Sequence, residues 1–273
     1  MHRSALAFLL LLIVCAEAPR AQSGCTAVSA DCVPVGEWDF SVSLGFGERS
    51  NPISEGSDIP LVVIPQISYY GKRVFVENLD VGVTLLETPT HTLNVLATPG
   101  YDRVFFVRGD LQNYFISGAS GSLSAPTPEL EAAVDRPRRT TYLGGVEWLM
   151  RVGAVAVQFD ALYEVTGRHK GYEARGAVAI PLVQNENSLT LNAGFTWKSR
   201  EIVDYYYGVE RLYVPDAAFN PFVKLGYSRV LSERFTVNAF AHYEHLDSAI
   251  TNSPIVVDHG VLTFFAGVVF KVF

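Results

Sequence analysis

The chain has 273 residues, a net charge of −7, 49% hydrophobic residues and 12% aromatic residues. This length suits two ordinary domains or one large all-β domain. The acidic balance argues against a nucleic-acid partner, which would need a basic face, and six His, three Cys and two Met offer little material for a metal or cofactor.

The first residues are typical of a secretory signal peptide. Arg3 gives a positive start, and an almost unbroken apolar run follows from Ala5 to Ala16. This run is too short to span a bilayer as a helix. We therefore expect a signal peptide over residues 1–21, with cleavage between Ala18 and Ser23. A periplasmic segment over 22–37 would follow.

Two cysteines remain after cleavage, Cys25 and Cys32. In an oxidising periplasm we expect them to form a disulfide. Two free, exposed thiols are the alternative.

The mature chain is dominated by alternation with a period of two. In Trp38–Gly47, five apolar side chains from Trp38 to Phe46 alternate with polar or small residues. Successive side chains of a strand point to opposite faces, so this segment has one apolar and one polar face. The alternation recurs at 61–70, 74–86, 93–101, 142–150, 155–164, 172–180, 188–198, 219–230, 235–246 and 261–273.

Three features favour a transmembrane barrel over a soluble sandwich. Most runs reach roughly the 9–11 residues that a tilted membrane strand needs. Aromatic residues stand at strand ends, where interfacial girdles form. Charges that would be costly in a dry core are tolerable in a wet barrel interior; they include Glu147, Asp160, Glu164, Glu173, Arg175, Lys198, Lys224 and Glu244.

The sequence therefore predicts an all-β, antiparallel, up-and-down transmembrane barrel over residues 38–273. The runs number eleven, whereas a bacterial barrel of this kind needs an even number. Val74–Leu86 would supply the extra strand if it turned near Asn78. We expect twelve strands, with ten as the alternative.

The connections between runs differ in length. Those after Tyr70, Leu86, Met150, Val183 and Val230 are short, whereas 48–59, 108–139, 199–218 and 247–260 are long. Short periplasmic turns and long extracellular loops explain this difference. The mixed charge of the inner face indicates internal ion pairs, so we expect a lumen closed to solutes larger than a small ion.

The last strand carries a possible assembly signal. It ends on Phe273, and a terminal aromatic residue is the pattern that the barrel-assembly machinery recognises. Lys271 takes the place where a second aromatic is common, and Phe270 lies one step farther back. Phe264, Val268, Phe270 and Val272 would then face lipid.

No constellation of residues predicts catalysis. His242 and Glu244 share a strand face while His245 points away, so only two groups converge where a metal would need more. His169, Asp160, Glu164 and Ser199 lie near strand ends, but their spacing does not single them out as a catalytic group. We expect no metal, no cofactor and no enzyme activity.

Two loop clusters are candidates for binding. Arg136, Arg138 and Arg139 would contact lipopolysaccharide phosphates, since Arg pairs well with such groups; a solvated loop base is the alternative. Tyr205, Tyr206 and Tyr207 would form a recognition patch, with girdle or loop packing as the alternative.

The mature chain resembles the MipA/OmpV family of outer-membrane proteins. The resemblance is carried by the stretches 41–47, 55–58, 64–69, 75, 82–83, 135–136 and 144–145, and most specifically by 204–209 and 249–256. It implies a cell outer-membrane location, in contact with lipid and lipopolysaccharide. It also implies a scaffold that joins a lytic transglycosylase to a murein synthase. A diffusion or transport barrel and a barrel hydrolase are the alternative functions.

Overall fold

The computed structural model describes residues 35–54, 56–106 and 138–272, which form one closed antiparallel barrel of twelve strands. The strands are β1 Trp38–Arg49, β2 Ile59–Tyr70, β3 Val74–Glu77, β4 Asp80–Glu87, β5 His91–Pro99, β6 Tyr142–Val152, β7 Val155–Glu164, β8 Tyr172–Gln184, β9 Asn187–Lys198, β10 Ala218–Val230, β11 Phe235–His245 and β12 Gly260–Lys271.

The barrel is closed by the pairing of its first and last strands. Their register runs from Ser41 opposite Lys271 to Arg49 opposite Thr263, and every other pairing joins strands that are neighbours in the chain. Closure removes the exposed edges that an open sheet would present. The twelve-strand prediction is confirmed, and the ten-strand alternative is wrong.

The predicted run Val74–Leu86 forms two strands, β3 and β4. Asn78 has a φ of 54°, a left-handed conformation that asparagine tolerates well in a tight turn. Its backbone N–H donates to the Ile67 carbonyl at 2.7 Å. Its side-chain oxygen accepts from the Ile67 N–H at 3.1 Å. This turn therefore fixes the hairpin against β2 and supplies the strand that the alternation left ambiguous.

The two faces of the wall differ as the alternation predicts. On β1, Leu44 is 57% exposed and Phe46 is 70% exposed, whereas Ser41 and Ser43 are buried inside the barrel. An apolar outer face is what lipid requires of a barrel strand. Phe264, Val268 and Phe270 on β12 and Val272 just after it are all exposed, and Phe273 lies outside the described residues. No helix among the described residues has the length and apolar character needed to cross a membrane.

The two ends of the barrel differ in their connections. One end has short turns at 71–73, 88–90, 153–154, 185–186 and 231–234. The other end has the Asn78 turn and the connections 50–58, 100–141, 165–171, 199–217 and 246–259. Short turns face the periplasm in outer-membrane barrels. We therefore name the first the periplasmic end and the second the outer end.

The described parts of the outer connections contain three short helices. A 3-10 helix spans Tyr101–Phe105, α1 spans Arg200–Tyr207 and α2 spans Ser248–Thr251. The sequence predicted these segments only as a strand end and as loops. Tyr101 was expected to end a strand, but β5 stops at Pro99 and the chain turns into the 3-10 helix.

Candidate functional site

Four outer connections and the strand ends beside them pack into one buried apolar cluster, which we call the outer plug. Its members come from segments far apart in the chain. They are Ile53, Val104, Phe105, Phe106, Ile202, Val203, Tyr206, Tyr207, Val209, Ala218, Leu246, Ala249, Ile250, Ile255, Val256 and Val261. Burial of this much apolar surface at the rim of a barrel stabilises a closed outer end.

Helix α1 supplies the centre of the outer plug. Ile202, Val203, Tyr206 and Tyr207 lie on one face, and each is at most 1% exposed. Their spacing at i, i+1, i+4 and i+5 is that of an amphipathic helix. The same spacing could have predicted this helix from the sequence. It extends over only about two turns, however, which is too short to stand out from a loop.

An ion pair joins the outer plug to the barrel wall. The Lys198 ammonium on β9 lies 2.6 Å from an Asp102 carboxylate oxygen on the 3-10 helix. The Tyr207 hydroxyl donates to the same oxygen at 2.8 Å. Burial by itself would raise the pKa of Asp102, but Lys198 and the hydrogen bonds hold that pKa below its ordinary value. Asp102 is therefore a buried carboxylate with its partners in place.

Further hydrogen bonds tie the plug segments to one another. The Asn51 amide donates to the Phe105 carbonyl at 3.0 Å. The Ser253 hydroxyl donates to the Tyr207 carbonyl at 2.6 Å. Both bonds satisfy buried backbone oxygens that would otherwise lack a partner.

The predicted tyrosine and arginine clusters meet at the outer plug. Tyr206 and Tyr207 are fully buried in it, and burial raises the pKa of both phenols, so they stay neutral. The Arg138 guanidinium lies 4.0 Å from the Phe106 ring centroid and donates to the Tyr206 carbonyl at 2.7 Å. The two clusters were predicted separately, and the fold brings them together.

The outer surface of this region carries the more accessible members of the same clusters. Tyr205 is partly exposed, Arg139 is exposed, and the Arg139 backbone N–H donates to the Tyr205 hydroxyl at 2.9 Å. Arg136 lies outside the described residues, as do Cys25 and Cys32.

A cavity of about 640 Å³ lies in the lumen beneath the outer plug. Its walls reach from Asp102 and Tyr207 at the plug to Ser188 and Ser228 near the periplasmic turns. The outer end is thus closed by described residues, while the space below continues toward the periplasmic end.

Charges line this cavity, and most of them are paired. Arg175 Nε lies 2.6 Å from a Glu173 carboxylate oxygen, in addition to the pair at the plug. Lys224 differs, because within the described parts of the chain its ammonium has no carboxylate within ion-pair distance. It lies 4.8 Å from the centroid of the Phe240 ring. Phe240 is an apolar residue on the inner face of β11, which is otherwise mostly polar. Its ring also stacks on that of Phe265, with the two ring centroids 6.1 Å apart.

Two residues considered for catalysis, Glu164 and Ser199, instead hold loop segments in place through hydrogen bonds. Glu164 accepts hydrogen bonds from the backbone N–H groups of Thr166, Arg168, His169 and Lys170. The Ser199 hydroxyl donates to Glu201 rather than to a histidine. His242 and Glu244 both line the cavity, and His245 is exposed. The described residues include no group of three or more His, Cys, Asp or Glu arranged to hold a metal ion.

Comparison with known proteins gives a family match over nearly the whole barrel. The family model described as MltA-interacting protein MipA matches residues 40–272. YiaT of Escherichia coli K12, named as an outer membrane protein, is 23% identical over 239 residues, covering 84% of this chain and 89% of YiaT. The MltA-interacting protein of the same strain is 23% identical over 232 residues, covering 81% of this chain and 85% of that protein.

Among solved structures, a loop-deletion mutant of OmpT, an outer membrane protein of Vibrio cholerae, is similar at 9% identity with a TM-score of 0.35. The match covers 87% of this chain and all of that one. The fold assignment rests on the strand pairing described above and not on this likeness.

Proposed function

The chain belongs to the family of MltA-interacting protein MipA, and we propose that it is an outer-membrane scaffold that holds murein-remodelling enzymes at the periplasmic end of its barrel. The family match over residues 40–272 carries this proposal. The proposed partners are a lytic transglycosylase, as the family name suggests, and a murein synthase. Lipid, lipopolysaccharide and the assembly machinery complete the expected contacts.

The asymmetry of the barrel supports a periplasmic partner. Murein lies on the periplasmic side of the outer membrane, and the described strands of the barrel are joined at that end by short turns. Lys72 and Arg73 in one turn and Glu233 and Arg234 in another are exposed there. Charged rim residues affect mainly the rate and specificity of association, so these turns are a suitable docking surface.

A pulldown from detergent-solubilised membranes tests the scaffold. The tagged full-length barrel should recover a lytic transglycosylase, identified by mass spectrometry. Charge reversal of Lys72 and Arg73 to Glu should reduce the recovery, whereas Arg139→Glu at the outer end should not. Recovery of no murein enzyme, or equal recovery by an unrelated barrel, would count against the proposal.

A diffusion or transport barrel is the second candidate, favoured by the charged cavity in the lumen. The outer plug argues against it, because a solute would have to displace a packed apolar cluster. We expect no steady large conductance steps when the purified protein is recorded in planar bilayers. Steady large steps would favour transport over scaffolding.

We further propose that the barrel is not an enzyme. The family is named for an interaction rather than a reaction, and His169 contacts plug tyrosines instead of a nucleophile. Replacing His169 and His242 and measuring lipid and peptide turnover tests the hydrolase alternative. Turnover that is lost in these variants would contradict our proposal.

Three sequence predictions remain proposals. The mass of the exported protein would show the cleavage bond and the two-hydrogen loss of a Cys25–Cys32 disulfide. Deletion of Phe273 would test the assembly signal through the yield of folded barrel. Arg139→Glu, with Arg136→Glu beside it, would test lipopolysaccharide contact through co-purified lipid.

A further inference from the structure

We propose that the cavity beneath the outer plug is a binding pocket for an anionic saccharide that enters from the periplasmic end. This inference goes beyond scaffolding and does not depend on it, because an isolated barrel can bind a sugar acid whether or not it recruits an enzyme.

Lys224 provides the anion-binding group. Lys224 lines the cavity, and its ammonium lies beside the Phe240 ring, with no carboxylate at ion-pair distance among the described residues. An ammonium carries three hydrogen-bond donors and no acceptor, so a ligand carboxylate is its natural partner. His242 lies directly across on β11, in register with Lys224.

The carboxylates that line the cavity do not repel an anion bound beside Lys224. Asp102 is paired with Lys198 and Glu173 with Arg175. Glu244 accepts a hydrogen bond from the Asn220 amide at 3.1 Å. From the level of Lys224 toward the periplasm, the described residues that line the cavity on β9, β10 and β11 include no carboxylate.

Uncharged hydrogen-bonding side chains line the same cavity, and they favour a saccharide over a simple organic anion. They follow the inner faces of β9 to β12, and they are Ser188, Thr190, Asn192, Thr196, Ser228, Asn238 and Thr263. Thr263 Oγ1 and Asn238 Oδ1 are buried without a hydrogen-bond partner in the described part of the protein. Hydroxyl and amide side chains along the cavity wall suit a ligand that itself brings hydroxyl and amide groups.

Aromatic rings and a glycine give the pocket room for a sugar ring. Phe222 and Phe240 line the cavity on either side of the Lys224 level. Gly226 is paired with Thr190 on one side and Phe240 on the other. A methyl group added at Gly226 would come no closer than 4.0 Å to its nearest neighbour, the Thr190 carbonyl oxygen. The space beside Phe240 therefore exists because position 226 lacks a side chain.

The size and the access route fit the same ligand class. A cavity of about 640 Å³ falls within the range of about 300–1,000 Å³ that small-molecule pockets occupy. The plug closes the outer end, so a ligand has to enter past Ser188 and Ser228.

We would test the pocket with three small molecules, chosen so that the sugar ring and the carboxylate can be removed one at a time. Isothermal titration calorimetry would use the purified full-length barrel in a detergent without a sugar head group. N-acetylmuramic acid and N-acetylglucosamine share the sugar ring and differ in the lactyl carboxylate, and lactate carries the anion without the ring. We expect saturable binding of N-acetylmuramic acid and about tenfold weaker binding of the other two, as loss of one charged hydrogen bond implies.

Two pocket variants and one control complete the experiment. Lys224→Gln should weaken N-acetylmuramic acid about tenfold and leave N-acetylglucosamine unchanged, whereas Gly226→Leu should abolish binding of both. Leu225→Val changes the neighbouring side chain on the lipid-facing surface and should have no effect. Heat-dependent gel migration confirms that each variant is folded.

Either of two results would overturn the pocket: no saturable binding of N-acetylmuramic acid, or binding that neither Lys224→Gln nor Gly226→Leu changes. Equal affinity for the two sugars would contradict the claim that the ligand has to be an anion. Lactate bound as tightly as N-acetylmuramic acid would contradict the claim that the ligand has to be a sugar.

Discussion

The outer and periplasmic halves of the same barrel have different interiors. At the outer end, apolar side chains from four connections pack into a buried cluster, and the buried Asp102–Lys198 pair lies beside them. Toward the periplasm, polar side chains line the lumen, and among the described residues the Lys224 ammonium lies beside the Phe240 ring and has no carboxylate partner. The difference arises from the connections, because long loops can fold back into the mouth and short turns cannot.

This contrast implies different sensitivities to substitution. In the outer plug, a removed atom leaves a cavity or an unpaired charge, both of which are costly. In the lumen cavity, water replaces a removed group at little cost. Free energies of unfolding would be measured with urea in lipid vesicles, through the fluorescence of the exposed residues Trp38, Trp148 and Trp197.

The largest loss is expected for Asp102→Asn. The substitution leaves the Lys198 ammonium, whose side chain is 10% exposed, buried without a counter-charge. Removing one partner of a buried pair costs about 3–5 kcal/mol. We expect a decrease of about 4 kcal/mol in the free energy of unfolding.

A double variant separates the charge from the packing. Asp102→Asn combined with Lys198→Met removes both charges and should recover much of the loss. Acid should act on the same pair. Because the pKa of Asp102 is held low in the folded barrel, its contribution is present above about pH 3.9 and is lost as the pH falls through the folded pKa. A single variant as stable as the wild type would contradict a buried pair.

A slightly smaller loss is expected for Ile250→Ala at the centre of the outer plug. Ile250 is 0% exposed, whereas Val257 in the same connection is 61% exposed. A truncated buried isoleucine typically costs about 2–5 kcal/mol, and we expect about 3 kcal/mol. Val257→Ala should stay within about 0.5 kcal/mol of the wild type. Similar losses from both variants would mean that the plug is not packed as described.

A third variant, Tyr207→Phe, isolates one hydrogen bond of the plug. The ring stays in place, and only the hydroxyl that donates to Asp102 at 2.8 Å is removed. Hydrogen bonds to charged groups contribute about 1.5–3 kcal/mol, so we expect a loss of about 2 kcal/mol. In the Asp102→Asn background the same change should cost less, since the acceptor is no longer charged. An equal cost in both backgrounds would show that the bond does not depend on the carboxylate.

The strands of the barrel wall could be predicted from the sequence, whereas the outer plug could not. Alternation is a local property of each strand, so the twelve strands could be read from neighbouring residues, and only Asn78 was needed to correct their number. The outer plug has no such pattern. Ile53, Ile202 and Ile250 meet only after the barrel closes.

The ion pair at the plug was also beyond sequence reasoning. Asp102 and Lys198 are 96 residues apart in the chain, and neither stands in a motif. Lys224 was placed in the lumen from its strand face, but the absence of a carboxylate partner among the described residues depends on the register of β9, β10 and β11. The space at Gly226 depends on the same register.

A smaller, pH-dependent effect is expected from His169 at the edge of the outer plug. Its ring centroid lies 5.4 Å from that of Tyr205, and burial lowers its pKa although Glu164 acts in the opposite direction. Between the folded pKa and the unfolded value of about 6.5, the unfolded chain binds more protons. The contribution of neutral His169 is therefore complete above about pH 6.5 and decreases as the pH falls through the folded pKa.

His169→Gln tests this dependence directly. On mild acidification the wild type should lose stability through the protonation of His169, and the variant should not show this loss. Above about pH 7 the free energies of unfolding of the two proteins should differ by a constant amount. Urea unfolding at a series of pH values measures the difference. A difference that grows in favour of the wild type as the pH falls would have the wrong sign for a buried neutral histidine.

The smallest change in stability is expected for Lys224→Met in the lumen cavity. The substitution removes a charge that has no carboxylate partner in the described part of the protein, and it keeps an unbranched side chain against Phe240. Loss of the cation–ring contact contributes about 0.5–1 kcal/mol, which the apolar replacement partly offsets. We expect an unfolding free energy within about 0.5 kcal/mol of the wild type, together with weaker binding of N-acetylmuramic acid. Asp102→Asn should differ in showing a large loss of stability. If Lys224→Met instead destabilised the barrel as much as Asp102→Asn, the lumen would be a second structural core, and the contrast between the two halves would fail.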